Sequence, residues 1–314
     1  MSIPLLPNAS AQMERLGSYV ASSHVVGAIR TAASAVGVSF NVLATKAAME
    51  SGLRADAQAG ASSARGLFQF TDQTWLSMVQ KHGADHALGT EAAAIVTGPG
   101  GRLSVQDPAE RSRILALRQD PELSARFAGE YLRDVSDTLG STLGHRPDAA
   151  ELYLGHFLGP TGATRMLQAL NSDPTRTASS VLPAAAAANP GMFNGPDGEP
   201  LTVAQFNSRV RSRLNGVYAQ MGLTAPAGPI NFQPVGEPAT TRSMAGEPGG
   251  WGNGTPARVA HGSEQAMVST LTKVFSRMGR GAGRVARGGN TQGIPSAVLS
   301  AMRQTNGAQG STGT

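Results

Sequence analysis

Apolar residues Met13, Leu16, Val20, Val25, Ile29 and Ala33 recur at spacings of three to five through residues 11–36. That spacing predicts an amphipathic helix, ended by Gly37. Ser39 is placed to cap a second helix over residues 40–51, with Phe40, Leu43, Ala44 and Ala47 on its buried side and Gly52 as its stop. Residues 52–65 are small and polar and read as a loop. Thr71 or Asp72 then opens a helix through Trp75, Met78 and Val79 that Gly83 terminates.

Asp107-Pro108 and Asp120-Pro121 each set a capping acid before a first-turn proline, so a helix starts at each, the second running PELSARFAGEYLRDVSDTL. Pro147 opens another, PDAAELYLGHFLG, and Gly162 leads into ATRMLQAL. A further helix is expected in LTVAQFNSRVRSRLNGVYAQMG, residues 201–222. No period-two alternation runs for more than a few residues in this front part, which is therefore expected to be almost wholly helical.

Composition divides the chain. Its 39 glycines and 19 prolines fall disproportionately beyond about residue 180, where large apolar residues thin out. The expected fold class is mainly α, a folded helical domain followed by a largely disordered Gly/Pro-rich C-terminal tail. In segments, this gives a helical lead-in at 1–21, the domain at 22–172, a linker at 173–200, an accessory helix at 201–222 and a disordered basic tail at 223–314. Local helix is expected within that tail near 264–278 and 295–303.

The formal charge of +5 is uneven: residues 1–172 carry 14 Lys and Arg against 15 Asp and Glu, and residues 173–314 carry 12 against 6. A nearly neutral domain gives no footing for specific nucleic-acid binding, and a basic tail suits any anionic polymer or surface. There is no cysteine, which removes disulfides, thiolate metal sites and a thiol nucleophile. No segment reaches the roughly 18 apolar residues of a membrane span, and the N-terminus lacks the pattern of a signal peptide, so action outside the cytoplasm would need another export route.

The candidate chemistry centres on Glu50, in the last turn of the second predicted helix, where the helix dipole disfavours a negative charge. Walled by Phe68, Phe70 or a tyrosine, such a carboxyl is expected to rise toward a pKa of roughly 6 and stay partly protonated near neutrality. It could then protonate a departing glycosidic oxygen and, as carboxylate, take a proton from the next nucleophile. Most glycosidases need a second carboxylate about 5 to 10 Å away. Asp56 and Glu130 are the candidates, and neither is obviously placed for it. Muramic acid, whose own 6-hydroxyl can attack its anomeric carbon, would need only one.

These residues resemble the catalytic domain of soluble lytic transglycosylases, with its goose-type lysozyme-like fold. The resemblance rests on Glu50-Ser51, on Gly66-Leu67-Phe68-Gln69 against Gly-Leu-Met-Gln, on Asp120-Pro121 with Tyr131-Leu132, and on Tyr153 against the tyrosine of Ala-Tyr-Asn-Ala-Gly. Four motifs stand in the family's order over residues 22–172. The resemblance implies cleavage of the bond from N-acetylmuramic acid to N-acetylglucosamine in peptidoglycan, leaving a 1,6-anhydromuramoyl end, in the periplasm or cell wall. Glu50 would be acid and then base, with Ser51, Gly66, Phe68 and Gln69 lining the sugar subsites and the Tyr153 hydroxyl near Glu50. No metal or organic cofactor is implied. Two departures stand out: Leu154-Gly155-His156 replaces Asn-Ala-Gly, and residues 71–119 are longer than the family's connection.

Each residue also has a plainer reading. Gln69 could bond backbone within a turn and Tyr153 could be a core aromatic, while His156, one turn from Tyr153, could border the cleft or be a satisfied, partly buried histidine. His82 and His86 have the i, i+4 spacing of zinc ligands, with Gly83 between them and no third ligand evident. In the tail, Lys273, Arg277, Arg280, Arg284 and Arg287 would form one basic stripe if helical, which could fold on an anionic surface or be merely a solubilising disordered stretch, and the tail as a whole could dock a wall-spanning flagellar, secretion or virion assembly. A water-using muramidase and a glycan-binding structural component are the alternative functions.

Overall fold

The computed structural model describes residues 12–60 and 62–232, and these are mainly helical. The expectations placed on residues 233–314, including the tail helices and the basic stripe, lie outside the described residues.

The chain begins with a hairpin and not with helix. Strands β1 (Met13–Leu16) and β2 (Tyr19–Ser22) pair antiparallel, Met13 opposite Ser22 and Leu16 opposite Tyr19. Gly17, at φ 60°, makes the two-residue turn between them. The helical lead-in expected over residues 1–21 is thus corrected where it is described. Met13 and Val20, counted into the apolar stripe, are exposed at 59% and 46%. Helix α1 (Ser23–Val36) starts only where the Ser22 hydroxyl accepts from Val25 N, and Gly37 ends it in the left-handed region at φ 69°.

Helix α2 (Phe40–Ser51) has the predicted bounds: the Ser39 hydroxyl accepts from Asn41 N, and Gly52 stops it at φ 64°. Helix α3 (Asp72–His82) is capped by Thr71. Between α3 and Asp120, in a front part expected to be almost wholly helical, lie α4 (Gly89–Ala94), a second antiparallel hairpin of β3 (Ile95–Thr97) and β4 (Leu103–Val105), and α5 (Pro108–Ala116). Asp120 caps α6 (Pro121–Leu143), accepting from Leu123 N at 2.7 Å. Asp148 and Glu151 form a reciprocal capping box at the start of α7 (Ala149–Ser172), which is kinked at Gly159-Pro160.

Helices α1, α6 and α7 form the body of the core. Two glycines set how closely they approach. A Cβ on Gly129 of α6 would lie 2.3 Å from Val36 Cγ2, and one on Gly155 of α7 would lie 2.3 Å from Val135 Cγ1. No larger residue fits at either crossing without displacing a buried valine. Trp75 and Phe127 close one end edge-to-face, at 5.1 Å between ring centroids, with Trp75 Nε1 donating to Ile114 O.

Residues 173–200 are not a linker. They fold into short helices α8 (Ala178–Val181), α9 (Pro183–Ala188) and α10 (Pro190–Phe193), and bury Ala178, Val181, Leu182, Ala186, Met192 and Phe193. Of the alanine run that reads as linker, Ala186 is buried, Ala185 is half-buried and Ala184, Ala187 and Ala188 are exposed, so the segment is held by its few larger apolar side chains, Leu182, Met192 and Phe193. The expected accessory helix is α11 (Val203–Gln220), capped by Thr202 and Gln205, and it belongs to the core: Val203, Phe206 and Val210 are fully buried, and it packs on α7 and α2. Its last carbonyls meet the first hairpin, where Ser18 N donates to Gln220 O at 2.7 Å. The tail expected from residue 223 stays attached through 232, with Ile230 buried and its N–H donating to Pro147 O.

Candidate active site

Glu50 sits in the last turn of α2, 6% exposed, with two basic groups on one carboxylate oxygen. Lys46, one turn earlier on the same helix, holds its Nζ 3.2 Å from Oε1. His156, from the middle of α7, brings Nε2 to 2.5 Å from the same oxygen. Lys46 and His156 are themselves 9% and 5% exposed. Three ionisable groups are thus taken out of water together, which is tolerable only because each neutralises or bonds another. The approach of α7 that delivers His156 is the one allowed by its neighbour Gly155.

The electrostatics correct the expectation of a raised Glu50 pKa. Burial does push the carboxyl up, but the Lys46 ammonium and the His156 imidazole together outweigh it and hold Glu50 below its ordinary value. Burial, and then the Lys46 charge, push His156 down, so its imidazole is neutral at neutral pH. Burial also lowers Lys46, against the pull of Glu50. The neutral ring donates from Nε2 to the carboxylate, which leaves Nδ1 as a buried lone pair with no hydrogen-bond partner among the described residues.

Around these groups lies a cavity of about 30 Å³, lined on α2 by Val42, Thr45 and Met49, on α6 by Leu132, on α7 by Ala149, Leu152 and Tyr153, and on α11 by Leu214 and Tyr218. It has room for a water or two and none for a sugar ring. Ala149 and Leu214 also line a wider groove of about 280 Å³ with Asp148, Arg211, Asn215 and Ala225, so these two side chains are the wall between groove and cavity. Arg211 and Asp148 are paired across that groove at 2.7 Å.

Of the residues singled out in the sequence, Glu50 and Tyr153 are brought to the same cavity. Burial, then the Glu50 charge, push the Tyr153 phenol well up, so it stays neutral, and its ring stacks on Phe157. His156, three residues on, bonds Glu50 from the same helix. Ser51 is turned to its own helix, donating to Ala47 O and accepting from Arg54 N. Phe68 is buried in the core at 2% exposure. Gln69, at φ 50°, donates its side-chain amide to Ala57 O and Gly66 O and so fastens the turn. Gly66, at φ 79°, is pressed against the backbone after α5, where a Cβ would fall 2.2 Å from Arg118 O. None of Ser51, Gly66, Phe68 and Gln69 lines the cavity.

Asp56 is exposed, and Glu130 is engaged by His86 and Arg133, each at 3.3 Å. His82 bonds Asp134 at 2.9 Å. Glu50 is the sole carboxylate among the cavity-lining residues. With the Lys46 ammonium already on its oxygen, a metal ion would meet a charge of its own sign there. The arrangement is suited to holding and passing one proton.

Lys46 and His156 were not among the expected site residues, although both signals are in the sequence. Lys46 precedes Glu50 by four residues and His156 follows Tyr153 by three, which puts each pair on a common helix face. What the sequence lacks is the pairing of the two helices. The chain matches no model of a known protein family.

Proposed function

We propose that this domain cleaves the glycan strands of peptidoglycan as a lysozyme-like lytic transglycosylase, with Glu50 as general acid and then base. The observation that supports this reading most is a buried carboxylate at a helix end, bonded to a histidine and a lysine, in a cavity that offers no second carboxylate. A one-carboxylate site suits a substrate that carries its own nucleophile.

In the proposed step, Glu50 in its protonated form gives its proton to the oxygen linking N-acetylmuramic acid to N-acetylglucosamine, and the C1–O bond breaks. The carboxylate then removes the proton from the muramoyl 6-hydroxyl as that oxygen bonds to C1. The product is a 1,6-anhydro ring, no water is consumed, and Glu50 ends protonated as it began. Leu214 and Tyr218 of α11 line the small cavity together with Glu50, so a glycan reaches the carboxyl only when that lining opens.

A second reading, that the domain holds glycan without cutting it, draws on the small size of that cavity. Mass spectrometry of products from purified sacculi tests both. Anhydromuramoyl ends, lighter by one water than reducing ends, are expected. Reducing ends would make the enzyme a muramidase, and muropeptide binding without cleavage over a range of pH would favour the holding role.

A further inference from the structure

The carboxylate that must start the reaction as an acid is held in its charged form by its neighbours. A proton therefore has to be loaded onto it, and the site offers one route. His156 Nε2 is 2.5 Å from Glu50 Oε1, and the other ring nitrogen, Nδ1, is buried and has no hydrogen-bond partner among the described residues. An imidazole that accepts a proton at Nδ1 can release the one on Nε2 to Oε1, leaving a neutral ring and a carboxylic acid. The direct contact lets that transfer occur without an intervening water.

We propose that Glu50 and His156 hold the catalytic proton jointly, and that the fixed charge of Lys46 sets how readily the pair takes it up. This rests on reading Glu50 as the acid and base of the site. His156 acts through Glu50 and is a positioning residue that also stores the proton. Lys46 opposes loading, because the loaded cluster carries one more positive charge than the empty one.

Among the described residues, the other polar or charged groups around the pair are Thr45 of α2, three tyrosines and Arg213. Tyr131 of α6 meets the His156 ring edge-on at 5.8 Å. From α7 comes Tyr153, and from α11 Tyr218, with Arg213 acting on Tyr153. Burial holds both Tyr153 and Tyr218 neutral, the latter with its phenol pushed up to about 12, so neither contributes a charge near neutrality.

The test is the pH profile of glycan cleavage by the full chain, whose alkaline limb reports loss of the shared proton. Lys46→Met is expected to move that limb up by about 1 to 3 pH units, the range for removing a charged neighbour. His156→Gln keeps a donor to Oε1 but cannot carry the proton, and is expected to move the limb down. Limbs that stay in place in both variants would overturn the proposal, since a merely structural role lowers activity at every pH alike. If His156→Gln does not fold, the direction of the Lys46→Met shift decides.

Nitrogen NMR of His156 in the wild-type chain gives a reading independent of activity. A proton on Nε2 and a bare Nδ1 near neutrality are expected, and the opposite tautomer would overturn the proposal. A Glu50→Gln variant with full lytic activity would instead remove the acid role of Glu50 itself. An inactive Glu50→Gln with unmoved limbs in the other two variants removes only the shared proton.

Discussion

Glu50 Oε1 and His156 Nε2 lie 2.5 Å apart, although 106 residues separate them in the chain. Both side chains are buried, and Lys46 completes a cluster whose charges cancel when the histidine is neutral. Such a cluster binds protons as a unit, so each member's behaviour depends on the other two.

The first prediction concerns Glu50→Gln. General acid and base catalysis by one group contributes roughly 10²- to 10⁴-fold, so release of soluble muropeptides from sacculi should fall by that factor. The variant also leaves Lys46 facing a neutral amide in a buried place, so its thermal midpoint should drop. Turbidity clearing and circular dichroism melting measure the two effects separately.

Stability should fall on acidification. His156 has a folded pKa below its ordinary 6.5, so between the two values the unfolded chain binds the extra proton. Its contribution is intact above about pH 6.5 and is lost as pH falls toward the folded value. Glu50, lowered from 4.5, adds a second loss in more acid solution. Each group contributes at most about 1.4 kcal/mol per pH unit. Denaturant melts of wild type and His156→Gln between about pH 7 and about pH 5 should converge as pH falls.

Gln69→Ala should cost stability more than substrate affinity. Its amide serves two backbone carbonyls, Ala57 O and Gly66 O, and removing it from a buried turn costs about 1 to 3 kcal/mol. A lowered melting temperature with KM on sacculus fragments unchanged is the expected result. A raised KM at unchanged stability would return Gln69 to a sugar subsite.

Leu214→Ala should join the outer groove to the cavity over Glu50. Leu214 is one of the two side chains lining both, and truncating a buried leucine costs about 2 to 5 kcal/mol. Cleavage of short glycan oligomers should become faster relative to wild type at temperatures where the variant stays folded.

Ending the chain at residue 200 should abolish cooperative folding, since Phe206, Val210 and Val217 are core residues, and their partners on α2 and α7 would be left bare. An accessory helix on a linker could be removed without that consequence. A thermal melt of the shortened chain distinguishes the two.

Local interactions account for what the sequence determined. Ser39 and Gly52 bound α2, Asp120 starts α6, and Thr202 with Gln205 starts α11, because caps act over three or four residues and are written in adjacent letters. They also fix Glu50 in a last turn. The same locality misled at residues 11–22, where an apolar spacing compatible with a helix is used by a hairpin whose turn depends on Gly17. It misled again at 173–200, where Leu182, Met192 and Phe193, spaced widely among small exposed residues, are enough to seat the segment in the core.

Tertiary structure decided the rest. Gly155 lets α7 approach α6 closely enough to deliver His156 to Glu50, and α11 folds back to bury the pair. Whether a carboxyl is raised or lowered depends on which charges arrive in that burial, and Lys46 and His156 reversed the direction that burial alone would give. The sequence therefore determined where the candidate acid stands, and only the packing of distant helices decided its company and hence its charge.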